Sequence, residues 1–107
     1  MLYLINKLSV NMFDTSEGVS IDIIPLTKEE VENALDNNEY KSVITKEFFA
    51  NILTDELNHY IKHNNELVTI DDKAILFYYK GPTVKEGISK LPRDAEILFF
   101  LVKIIND

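Results

Sequence analysis

The stretch from Tyr40 to Leu57, Tyr-Lys-Ser-Val-Ile-Thr-Lys-Glu-Phe-Phe-Ala-Asn-Ile-Leu-Thr-Asp-Glu-Leu, changes its apolar period midway. Val43 and Ile44 read as an extended segment, after which Phe49, Ile52, Leu53 and Leu57 recur at helical spacing. Thr45, at the change, is a good N-cap. A strand therefore runs straight into a helix. The unpaired amides and positive dipole end of that helix make the junction at Thr45-Lys46 a natural place to hold a phosphate or another anion.

Upstream, Leu2 to Ile5 is a short apolar run that suits a strand buried on both faces. Asn6 to Met12 follows without a firm period and reads as a loop. Its Asn6, Ser9 and Asn11 are candidates either to present hydrogen-bonding groups to a ligand or to satisfy turn backbone. Val19 to Ile23 alternates, marking a strand with one wet face, and Pro25 is expected to end it. Thr27 and Glu30 then form a capping box, Leu26 and Val31 a hydrophobic staple, and Val31, Ala34 and Leu35 an apolar stripe. Asp36-Asn37-Asn38 stops this helix after two or three turns.

Downstream, Asn58 to Asn65 is polar and holds His59 and His63, whose spacing of four would suit a metal on one helix face. No zinc-type pattern accompanies them, so they read as an exposed, non-ligating pair. Leu67 to Ile70 and Ala74 to Tyr79, split by Asp71-Asp72-Lys73, predict a hairpin. Thr83 to Asp94 is a polar connector. Ala95 to Ile105, long and rich in β-branched and aromatic residues, suits a central or interface strand. The fold class expected is α+β: one domain over residues 1–107, with a mixed sheet of about five or six strands flanked by helices.

At 107 residues the chain is long enough to bury a substantial core. Its formal net charge of −7 repels duplex nucleic acid and anionic membranes, so a polyanion would require a local basic pocket. No cysteine is present, which excludes disulfides and thiolate zinc sites. No segment has the apolar length of a membrane span, and a cytoplasmic location is expected. There is no Gly-rich phosphate loop, no Gly-x-Ser-x-Gly elbow and no His-Glu-x-x-His. The Glu29-Glu30 and Asp71-Asp72 pairs read as solvated surface. Nothing here implies a cofactor or a metal.

Four stretches, taken in order, carry a family resemblance: Leu4 to Met12, Lys41 to Glu47, Tyr79-Lys80-Gly81-Pro82 with Glu86-Gly87, and Leu91-Pro92 followed by Phe99 to Val102. Together they resemble the viral ring nucleases, the type III anti-CRISPR family with relatives in archaeal viruses, phages and integrative elements, including the YddF-like proteins. The resemblance implies a small homodimer that binds cyclic tetra-adenylate across the subunit interface. It also implies cleavage of the ring by a histidine that follows a glycine at the strand-to-helix junction, helped by an arginine and a glutamate. Asn6 and Ser9 match the family's ligand-loop positions and Glu86 its glutamate.

The remaining positions depart from the family. Thr45-Lys46 stands in place of Gly-His, and the two arginine positions fall on Glu66 and Thr83. A lysine is a poor general acid or base at neutral pH unless burial lowers its pKa. Three readings follow. The first is a catalytically degenerate relative that binds a cyclic oligonucleotide immune signal in a dimer cleft, with Asn6, Ser9, Asn11, Thr45, Lys46 and Glu86 at the ligand. The second is a slow nuclease using Lys46 and Glu86. The third is an anti-defence protein-interaction module with no nucleotide ligand.

Overall fold

The computed structural model describes residues 1–84, 87 and 90–105. In chain order the elements are β1 (Leu2–Ile5), a 3-10 turn (Val10–Met12), β2 (Ser20–Leu26), α1 (Lys28–Asn37), β3 (Tyr40–Val43), α2 (Glu47–Leu57), β4 (Lys73–Lys80) and β5 (Glu96–Ile105). The five strands form one mixed sheet in the order β2-β5-β4-β1-β3. β1 pairs in parallel with both β3 and β4, while β5 is antiparallel to both β4 and β2. The α+β class expected from the sequence holds. Among the described residues no helix is long and apolar enough to cross a membrane.

Strand alternation divides the apolar residues between two faces. Leu2, Leu4, Ile75, Phe77 and Phe99 lie on one face, under Val31 and Leu35 of α1 and Ala50, Leu53 and Leu57 of α2. Burying each such branched side chain contributes about 1.5–3 kcal/mol. α1 starts as the sequence predicts: the Thr27 hydroxyl accepts from Glu30 N, and Thr27 N donates back to Glu30 Oε1. The Thr27 backbone amide first, and then the Thr27 side chain, by hydrogen bonding to the Glu30 carboxyl hold it below its ordinary pKa.

On the second face, Ile5, Val43 and Ala74 are covered by irregular chain, with Met12, Val68 and Ile70 packed over them. This corrects the expected hairpin, because Leu67 to Ile70 forms no strand. Both edges of β4 are taken, one by β1 and one by β5, so Val68 and Ile70 are buried instead as plugs. Pro25 also departs from expectation. It lies inside β2, opposite Phe100, because β2 is an edge strand where a missing N–H need not break the ladder. The alternation of Val19 to Ile23 does not give a single wet face either, since Ile23 and Ile24 are both exposed.

At the exit of β4, a Cβ on Gly81 would lie 2.8 Å from both Cα and Cβ of Ala95. Glycine is required there by close approach of the chain that starts β5. Gly81→Ala is expected to destabilise the protein by about 1–3 kcal/mol in urea unfolding, and an added Ala95→Gly to recover part of that loss.

Candidate ligand cleft

Because β1, β3 and β4 are parallel, their carboxyl ends share one edge of the sheet. In open sheets, crevices beyond the carboxyl ends of parallel strands are the usual ligand sites. The loop after β1, the junction after β3 and the connector after β4 all leave from this edge.

The first two are tied together. Asn6 Oδ1 accepts from the backbone N–H of Thr45 at 2.9 Å, and Asn6 Nδ2 lies 3.1 Å from Thr45 Oγ1. The Thr45 hydroxyl is therefore occupied, which corrects its expected role. The N-cap of α2 is Lys46, whose side chain makes no capping bond. Its first helical bond is Ala50 N to Lys46 O at 3.1 Å. α1 is closed by a capping box, whereas among the described residues no side chain accepts from the first-turn amides of α2.

The histidines are not on one helix face, because α2 ends at Leu57 with Asn58 in the left-handed conformation. His59 Nε2 sits 2.7 Å from Asp36 Oδ1, away from the junction. The chain then returns along the outer edge of β3: Ser42 Oγ donates to Lys62 O at 2.7 Å, and Asn64 N donates to Ile44 O at 2.9 Å. A parallel bridge between Ile44 and His63 results. It places His63 Nε2 3.2 Å from Thr45 O.

Two adjoining cavities open here, both walled by Thr45 and Asn65. The smaller, ≈ 220 Å³, adds Lys7, Ser9, Asn11 and Glu66. The larger, ≈ 550 Å³, adds Lys46, Glu47, Asn51 and His63. That larger volume is in the usual range for small-molecule sites. Glu66 is ion-paired with Lys41 at 2.7 Å. The hydrogen bond from Lys41, then its charge, holds the Glu66 carboxyl below its ordinary pKa. The pair is intact above the ordinary carboxylate range and is lost as pH falls through the lowered value.

Of the residues expected from sequence, Ser9, Asn11, Thr45 and Lys46 line the cavities, and Asn6 braces Thr45 from behind. Ser9 Oγ donates to Asn11 Oδ1, so this pair also satisfies its own turn. Glu86 and Lys85 lie outside the described residues. His63 and Asn65 were not anticipated at the cleft, and no local signal marks them, since their placement depends on the return along β3. Among the described residues no group of three or more histidine, aspartate or glutamate side chains is arranged to hold a metal.

Asn6→Ala removes the acceptor of a half-buried N–H, whereas Thr45→Val removes only hydroxyl bonds. The first is expected to cost about 1–3 kcal/mol and the second less. A double-mutant cycle in urea should show a coupling of at least about 0.5 kcal/mol.

No family model matches the chain, and no curated protein matches it. Its fold is similar to that of a solved structure, B116 of Sulfolobus turreted icosahedral virus (STIV), with a TM-score of 0.75 at 18% identity, covering 95% of this chain and 97% of that one. At that identity the likeness establishes a shared fold.

Proposed function

We propose that the protein binds a cyclic oligonucleotide immune signal in the cleft at the carboxyl edge, as a ring-nuclease-like relative from a virus, phage or mobile element. One observation carries this reading: the start of α2, whose N-cap Lys46 makes no side-chain capping bond, opens into a cavity that shares Thr45 and Asn65 as walls with the one lined by Lys7 and Ser9. Backbone amides and two lysines suit phosphodiester oxygens. The motif resemblance supplies the ligand class, and the fold shared with a viral protein agrees with the source. Without a histidine at position 46, chemistry at the junction is impaired, so capture of the signal is the assigned role.

In this reading the active form is a homodimer. The cover reaches Ile104 of β5, and beyond it the second face stays open, among the described residues, at Ile23 of β2 and Tyr78 of β4. Ile23 and Tyr78 are each 52% exposed there, flanked by half-buried Leu98 and Phe100. This uncharged strip reaches the carboxyl edge at Tyr78, so a second copy packed on it brings two clefts near one another.

Thermal-shift and calorimetric screening against cyclic di-, tri-, tetra- and hexanucleotides, with product analysis, tests the binding reading. Stabilisation by at least one ring is expected. Lys46→Ala should weaken it by about 1.5–3 kcal/mol per lost charge-assisted contact. No response to any ring would sink the proposal, and a stable complex with a host protein in the absence of nucleotide would replace it. For the dimer, Ile23→Lys at this exposed edge is expected to halve the solution mass without unfolding the chain.

A further inference from the structure

We propose that His63 joins Lys7 and Lys46 as a cation of this cleft when a phosphodiester ligand binds, so that binding takes up a proton. The proposal rests on the cleft being a phosphodiester site and specifies how an acidic protein supplies the positive charge.

The argument starts from the ring nitrogens. The Thr45 carbonyl, 3.2 Å from His63 Nε2, can only accept, so Nε2 carries the hydrogen. Asn65 Nδ2, a donor, lies 3.4 Å from the same nitrogen; its bond to a bare Nε2 is the alternative to the Thr45 bond and the longer of the two. Neutral His63 therefore has its lone pair on Nδ1, which offers nothing to a phosphate oxygen. Protonation turns Nδ1 into a donor while leaving the bond to Thr45 intact. The backbone of His63 is held beside the junction by the Ile44 bridge and by the bond from Asn64 N to Ile44 O.

Among the described residues, the charged groups around His63 come from three elements. The start of α2 contributes Lys46 and Glu47, which share the larger cavity with it. Its own segment contributes Lys62 and Glu66, and Lys41 of β3 holds Glu66 in an ion pair. A bound phosphodiester adds negative charge to this set, and an opposite charge within hydrogen-bonding reach favours the charged imidazole. Histidine is the side chain that makes this change between about pH 5 and about pH 8.

The experiment is calorimetry with cyclic tetra-adenylate and cyclic di-adenylate, whose phosphodiesters keep their charge across that range. It is run in buffers of different ionisation enthalpy and at both ends of the range. The expected results are net proton uptake on binding and an affinity about tenfold higher at the acidic end. His63→Gln should fold with an unchanged thermal midpoint, bind without proton uptake and lose the pH dependence. Equal wild-type affinity at the two ends, or a His63→Gln protein that keeps the wild-type dependence, overturns the inference while the cleft reading stands. Absence of binding at any pH to these two and to the other cyclic di-, tri-, tetra- and hexanucleotides of the screen overturns both.

Discussion

The structure depends on β1 being paired in parallel on both sides. Leu2, Leu4 and Ile5 are buried, Leu2 and Leu4 under the helices and Ile5 on the opposite face. A four-residue strand between β3 and β4 satisfies its backbone on both edges and contributes to both cores. Parallel partners require crossovers, and the α2 crossover carries the chain from β3 over β1 to β4. The same requirement gathers the strand ends: once β1, β3 and β4 run together, Asn6, Thr45 and the exit of β4 share one edge. The cleft is thus a consequence of topology before any of its side chains is considered.

Much of this was legible in the sequence wherever the signal is local. The run Leu2 to Ile5, the capping box at Thr27 and Glu30, the stripe of α2 and the long apolar strand before Ile105 all appear where periodicity and capping place them. The failures are tertiary. Leu67 to Ile70 has strand composition but no free strand edge to pair with. Pro25 is compatible with a strand only because β2 lies at the border of the sheet. Thr45 has the chemistry of a cap, yet Asn6, 39 residues away, takes its hydroxyl. Nothing near His63 in sequence foretells its bond to Thr45 O, since that contact exists only after α2 reverses the chain at Asn58.

The electrostatics of the cleft also differ from what a count of charges suggests. A chain of net charge −7 with a glutamate at an expected arginine position looks hostile to a polyanion. In the fold, Glu66 is turned to Lys41, and the cavity walls carry Lys7, Lys46 and His63. An exposed ion pair of this kind contributes little to stability. Its effect is on the local field, because Lys41 offsets the charge of a carboxylate on the wall of the smaller cavity, while Glu47 stays on the wall of the larger one.

The irregular cover of the second face has a further consequence. Met12, Val68 and Ile70 are held by burial and by a backbone bond from Ile70 N to Met12 O, and they are not laddered into the sheet. Segments of that kind open at a lower free energy than the strands beneath them. These segments also wall the smaller cavity, through Ser9, Asn11 and Val68. Opening of the cover therefore removes part of the wall of that cavity, so its shape depends on the burial of Met12, Val68 and Ile70.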